Sequence, residues 1–159
     1  MTEVSINKQA RLSEHFTLAE LCKTSVKTED GNIPSRVYIE NLKRLCGWLE
    51  MLRDEWNRRY GEGDEPIIIN SGYRSEAVNK AVGGVKGSNH LTGCAADIRV
   101  AGLEQALRYA VILLDISDES GEAFDELLLE RGSKGNYWLH FAVRPPSGDN
   151  RRKVRMIQA

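Results

Sequence analysis

Apolar residues recur along this chain with two periods, and the change from one to the other divides it. Between Ser35 and Tyr60, the positions Val37, Leu42, Leu45, Cys46, Leu49, Leu52 and Trp56 fall at steps of three and four. That spacing predicts one long amphipathic helix. Ahead of it, Thr17-Leu18-Ala19-Glu20 fits a capping box, so a short helix is expected to run through about Lys23. The polar stretch KTSVKTEDGNIPS then reads as a loop. The segment GEGDE closes the long helix, and Pro-Ile-Ile-Ile-Asn at 66–70 is a short β-branched run bounded by turn formers, hence a strand. Ser75 can cap a helix reaching about Val82, which Gly83-Gly84 ends.

Beyond that point the period shortens to two. Ala95 to Val100, Phe124 to Glu130 and Tyr137 to Val143 read as strands, with a helix from Leu103 to about Leu114 between the first and second. Helices first, then strands with one helix inserted, predict an α+β fold: a small antiparallel sheet packed against helices. Residues 1–14 are polar and unpatterned and are expected to form a flexible arm, and 15–150 a single domain. The segment 151–159, RRKVRMIQA, carries four basic residues in its first five and reads as a solvated basic tail.

Composition narrows the classes of partner. A chain of 159 residues is the usual size of one domain. Its 22 Lys and Arg against 23 Asp and Glu leave a formal net charge of −1, which argues against a surface built for nucleic acid or an anionic membrane. No run approaches the ~18 apolar residues of a membrane span, and the first residues lack the apolar centre of a signal peptide. Synthesis in the cytoplasm without a signal peptide is the expectation, and nothing in the pattern demands more than a monomer. Cys22, Cys46 and Cys94 lie far apart without CxxC spacing, so reduced, buried thiols are expected.

Three histidines are present. His15, in the polar arm, reads as a surface residue. His90 stands in SNHLTGCAAD beside a Gly turn, and His140 stands in WLHFAV inside an apolar run. Side chains two apart on a strand share a face. Ala95, Asp97 and Arg99 therefore share one face of their strand, and Trp138, His140 and Ala142 one face of theirs, while the opposite faces are wholly apolar. If these strands pair, Asp97 and His140 project together beside the small Ala95 and Ala142, and the turn at Gly93 can deliver His90. Two imidazoles and a carboxylate are the protein ligands of many catalytic zinc sites, which keep a fourth position for water. Hydrogen-bonded structural histidines are the other reading of the same residues.

The run SGYRSEAVNKAVGGVKGSNHLTGCAADI, followed by FDELLLE and WLHFAV, resembles the peptidoglycan-cleaving zinc peptidases of the D-Ala-D-Ala carboxypeptidase type, whose catalytic domain shares its fold with the hedgehog signalling domain. The similarity runs from about Phe16, where FTLAELCKT looks like the family's opening segment, to about Val143. The family pattern HxxGxAxD falls on His90, Gly93, Ala95 and Asp97, and WxH on Trp138 and His140. The resemblance implies Zn2+ held by His90, Asp97 and His140. In SGYRS it implies a substrate-facing Arg74, with Ser71 and Tyr73 beside it as substrate-binding residues. A guanidinium there suits a peptide carboxylate or carbonyl.

Related zinc peptidases often place a carboxylate three residues before the last histidine, where this chain has Tyr137. Hedgehog-like domains instead end the preceding strand with Glu, which points to Glu130 as general base. Glu126 shares its face by alternation and is the alternative. Cys94 reads as a small filler. The implied activity is hydrolysis of an amide bond in peptidoglycan stem peptides, by a carboxypeptidase or endopeptidase, with a phage lysis enzyme as one setting. The rival class is a zinc-containing binding module of the same fold without hydrolysis, such as a component of a phage particle.

Overall fold

The computed structural model describes residues 7–158. In chain order the elements are α1 (Leu18–Leu21), α2 (Arg36–Arg59), β1 (Ile69–Ser71), α3 (Glu76–Ala81), a 3-10 turn (Asn89–Thr92), β2 (Ala95–Arg99), α4 (Leu103–Ser120), β3 (Glu126–Arg131), β4 (Tyr137–Ala142) and β5 (Lys153–Gln158). Side-chain caps start three of the helices where expected. Thr17 Oγ1 accepts from Glu20 N, Ser35 Oγ from Tyr38 N and Ser75 Oγ from Val78 N. These caps satisfy backbone donors that no helical carbonyl reaches.

The five strands form one mixed sheet in the order β1-β2-β4-β3-β5. The first four pair antiparallel, whereas β5 runs parallel to β3. An all-antiparallel sheet was the expectation, and the difference lies in the C-terminal segment. Residues 153–158 are an edge strand rather than a solvated tail. Of the expected arm, residues 1–6 lie outside the described residues. Arg11 bridges Thr17, and Leu12 packs against the core. His15, expected simply at the surface, accepts or shares two contacts with Glu50, through its backbone N at 2.8 Å and Nδ1 at 2.7 Å, which ties this segment to α2.

The core lies on one face of the sheet. Ala96, Ile98, Leu139 and Phe141 point into it, opposite Leu42, Leu45, Leu49 and Leu52 of α2 and Ile112, Leu113 and Ile116 of α4. Burial of this apolar face is the main stabilising contribution. Trp48 joins it, edge-on to Phe124, while Val37, which fits the helical period, stays 67% exposed in the first turn of α2. Helix α4 continues past Leu114 to Ser120 because Ile116 and Ser117 still face inward, and Gly121, with φ 74°, stops it. The three cysteines are buried free thiols. No helix among the described residues is long and apolar enough to cross a membrane. The face of the sheet away from the helices carries the polar side chains discussed next.

Candidate metal centre

Pairing of β2 with β4 sets Asp97 directly across from His140, with Ala95 opposite Ala142. Cross-strand partners project on the same side, and the two alanines leave room beside them. His90 comes from the 3-10 turn. Ser88 Oγ caps that turn by accepting from His90 N, and Gly93 ends it at φ 73°, a left-handed conformation costly for a residue with a Cβ. A Cβ on Gly93 would also stand 2.6 Å from the Tyr38 carbonyl oxygen. The turn thus needs glycine for two reasons, and it delivers His90 to the edge of β2.

Among the described residues, His90, Asp97 and His140 offer ligand atoms that all lie within 4.8 Å of one another. His90 Nε2 is 3.3 Å and His140 Nδ1 3.1 Å from the same oxygen, Asp97 Oδ1. Donors held tetrahedrally by one Zn2+ at about 2.0–2.1 Å stand roughly 3.4 Å apart, so these spacings fit that ion. The remaining ring nitrogens are occupied. His90 Nδ1 lies 2.7 Å from the Gly72 carbonyl oxygen, to which it donates, and His140 Nε2 is 3.1 Å from Glu126 Oε1. Each ring therefore has one nitrogen tied to an acceptor and the other turned toward Asp97, the arrangement in which outer partners orient metal-binding imidazoles.

The electrostatics favour positive charge at this point. Burial would raise the Asp97 pKa, yet hydrogen bonds and charge from His140 and His90 hold it well below the ordinary carboxylate range. Burial works against a charged His140, but its contacts with Asp97 and Glu126 prevail and lift its pKa to about 9. The hydrogen bond from His140 is the largest influence on Glu126, which is lowered to about 2 against the opposing effect of burial. Without metal, a proton on His140 meets the demand that a cation would meet.

Arg74 reaches the same group from α3's leading edge. Its Nη2 donates to Asp97 Oδ2 at 3.0 Å and its Nε to Ser71 Oγ at 3.0 Å. The two Asp97 oxygens are divided, Oδ1 toward the imidazoles and Oδ2 toward the guanidinium. Ser71 is thus an acceptor for Arg74. Tyr73, expected to touch substrate, is instead 6% exposed and packs in the core against Tyr38, with ring centroids 5.9 Å apart. The strand pleat turns it away from the side on which Arg74 projects.

The cluster forms the floor of a cleft of about 700 Å³, whose walls include Arg74, the loop 82–88, Glu126, Glu130, Trp138 and Ile157. Glu126, Leu128 and Glu130 alternate on the cleft side of β3, paired with Ala142, His140 and Trp138. Glu130 accepts a short hydrogen bond from Trp138 Nε1. Burial, reinforced by the negative charge of Asp97, raises its pKa above the ordinary carboxylate value. Glu126 accepts from His140 and also from Asn89 Nδ2 at 2.7 Å. Cys94 lies buried outside this cleft, its thiol pKa raised by desolvation.

Several contributors had no signal in the sequence pattern. Asn89 donates from the same Nδ2 to Asp125 Oδ2 at 2.7 Å and accepts from Arg144 Nε at 3.0 Å. Asp125, wholly buried, is gripped by Arg151, with Nε and Nη2 at 2.9 and 2.8 Å. Only the basic run at 151–155 hinted that the C-terminus meets a carboxylate.

A buried pair of imidazoles and a carboxylate, converging on one point in an open cleft with a further carboxylate on its wall, defines a candidate mononuclear metal centre of the hydrolytic kind. The family model for peptidase M15 matches residues 14–115, and the chain belongs to that family. That span holds His90 and Asp97, while His140 lies beyond it. A stretch of 84 residues is 32% identical to the zinc D-Ala-D-Ala carboxypeptidase of Streptomyces albus G, covering 53% of this chain and 31% of that relative. The aligned stretch thus spans about a third of the relative's length.

Proposed function

We propose that this chain is a zinc metallopeptidase that hydrolyses an amide bond in peptidoglycan stem peptides. One observation carries the reading: the three donor atoms meet at the floor of a cleft wide enough for an extended peptide, with Arg74 and Glu130 on the same cleft. The similarity to a zinc D-Ala-D-Ala carboxypeptidase supports the choice of substrate.

In this reading His90 Nε2, Asp97 Oδ1 and His140 Nδ1 hold the metal. When bound, zinc supplies a Lewis acid that polarises a carbonyl and makes water a nucleophile near neutral pH. Glu130 is the general base. Its raised pKa suits a group that takes a proton from the attacking water and returns it to the leaving amine. Trp138 fixes the Glu130 carboxylate through its indole N–H. Arg74 holds Asp97 in place and turns its remaining donors to the peptide, at a carboxylate for a carboxypeptidase or at a carbonyl for an endopeptidase.

The test is mass spectrometry of purified muropeptides incubated with zinc-loaded protein, chelated protein, and chelated protein reloaded with zinc. Cleavage that disappears with the chelator and returns with zinc is expected, and the fragment masses identify the bond. Glu130→Gln should keep zinc and lose about 10²–10⁴-fold in turnover. Zinc binding without cleavage of any wall peptide would replace this reading with a metal-holding recognition module.

A further inference from the structure

The two glutamates on the cleft side of β3 are held differently, and the difference separates their work. Glu126 stands opposite Ala142, one pair removed from His140, whose own partner is Leu128. The small Ala142 side chain lets Glu126 lean diagonally across to the imidazole, within the reach of neighbours on adjacent strands. Its Oε1 then has two donors, His140 Nε2 at 3.1 Å and Asn89 Nδ2 at 2.7 Å. Its other oxygen, Oε2, stands 3.6 Å from Arg151 Nη2. Asn89 in turn is fixed at both ends of its amide, by Asp125 and by Arg144.

We infer that Glu126 is a positioning residue for the metal centre: held by Asn89, its carboxylate fixes the His140 ring so that Nε2 carries the hydrogen and Nδ1 faces the ion. This rests on the zinc reading above and goes beyond it by assigning the second carboxylate of β3. A ring held only by its χ1 and χ2 torsions can flip and present Nε2 instead. Glu126 removes that freedom. It also raises the basicity of the imidazole toward a cation, as outer carboxylates do for metal-binding histidines. The same contacts take Glu126 out of contention as the base, because both donors on Oε1 would have to be displaced before it could receive a proton from water. Glu130 makes no contact with either histidine and is left free for that work.

The relay joins four segments that are distant in the chain. Asn89 comes from the turn that carries His90, so a single amide touches the neighbourhood of two ligands. Asp125 and Arg151 bring in the strand β3 and the lead-in to β5, and Arg144 comes from the end of β4. Ring orientation at His140 therefore depends on the C-terminal segment, although that segment supplies no ligand.

Three variants are compared by zinc affinity in chelator competition, by the visible spectrum of the Co2+ form and by turnover, with the thermal midpoint of each metal-free protein as a check on folding. Glu126→Ala should weaken zinc binding by about 10–100-fold and shift the cobalt bands, because the ring loses its outer partner. Glu126→Gln keeps an oxygen that accepts from both His140 and Asn89, so its zinc affinity should return to within about threefold of the parent. His140→Ala, the control for the zinc reading itself, should bind no zinc at the central site. If Glu126→Ala matches the parent in affinity and cobalt spectrum while His140→Ala loses the metal, the positioning role is wrong and the zinc reading stands. If His140→Ala binds zinc as the parent does, the zinc reading fails first. A Glu126→Gln protein with parental affinity whose turnover falls by about 10²-fold or more would make Glu126 the base and overturn the division between the two carboxylates. Should Glu126→Ala not fold, Asn89→Ala gives the same readout one step back, and an unchanged cobalt spectrum there would also overturn the inference.

Discussion

The two histidines of the centre are oriented by different materials. His90 is held by backbone: its Nδ1 donates to the Gly72 carbonyl, its turn is capped by Ser88, and its own carbonyl accepts from Arg74 N at 2.9 Å. His140 is held by side chains, through Glu126 to Asn89 and on to Arg144, Asp125 and Arg151. A carbonyl fixed between packed elements fails only if the fold moves, whereas a relay of side chains fails whenever one of them is changed. The first side should respond to substitutions that displace the chain, and the second to single polar substitutions.

The sharpest break on the backbone side is Gly72→Ala. A Cβ there would collide with the Leu21 carbonyl, which already accepts a hydrogen bond from Tyr73 N at 2.7 Å. Neither partner is a flexible side chain, so α1 must move away. A loss of about 3 kcal/mol, at the upper end for overpacking, is expected in the urea midpoint. The Cys22 and Asn32 contacts should loosen with it, since Asn32 Nδ2 bridges the Cys22 and Tyr73 carbonyls. On the other side, Arg151→Ala leaves the buried Asp125 with Arg144 and the Arg151 backbone N–H as remaining partners. About 1–3 kcal/mol of stability should be lost, less than for a fully uncompensated buried charge. A Gly72→Ala protein as stable as the parent, or an Arg151→Ala protein without measurable loss, would remove the corresponding half of the comparison.

Acid sharpens the side-chain half. Burial raises the Asp125 pKa, but the Arg151 hydrogen bonds and Asn89 prevail and depress it from its ordinary 3.8 to about 2. A carboxylate depressed in the folded state contributes stability that is present above its unfolded pKa and is lost as pH falls through the folded value. The contribution, on the order of 2 kcal/mol, should be complete near neutrality and disappear between about pH 4 and pH 2. Subtracting the stability of Asp125→Asn from that of the parent across this range isolates it from the other carboxylates. A difference that stays constant with pH would mean that Asp125 is held by shape alone.

The same division separates what could be read in the chain from what could not. The long helix, its cap and the faces of β2 and β4 followed from periods of 3.6 and 2, because each buries one side against a core that repeats along the element. His90, Asp97 and His140 were brought to one face by alternation and by the family resemblance, and the structure does bring them together. Strand β5 escaped because an edge strand with Val154 51% and Met156 66% exposed has no buried stripe to betray it. Its parallel pairing with β3 depends on where the chain returns after Pro145, which no local pattern records. Tyr73 was misplaced for a related reason: a motif names residues together, while the pleat sends neighbours to opposite sides. The relay behind His140 was invisible because a diagonal contact such as Glu126 to His140 depends on strand register, and register is settled by the whole sheet.

The smallest effect belongs to the far end of that relay. Arg144 Nε donates to Asn89 Oδ1 at 3.0 Å, and its side chain is about a third exposed. Arg144→Gln removes this donor, but Asn89 keeps its hold on Asp125 and Glu126 through Nδ2. Stability should fall by only about 0.5–1 kcal/mol, the net value of one partly solvated hydrogen bond. Zinc affinity should weaken by less than about tenfold, below the effect of removing Glu126 itself. The ranking is the informative result: Glu126→Ala above Asn89→Ala, and Asn89→Ala above Arg144→Gln, in chelator competition. A graded series would show orientation passing from residue to residue along the relay. An Arg144→Gln protein as impaired as Glu126→Ala would show instead that the four segments shift as one body, and the contrast with the backbone-held His90 would disappear.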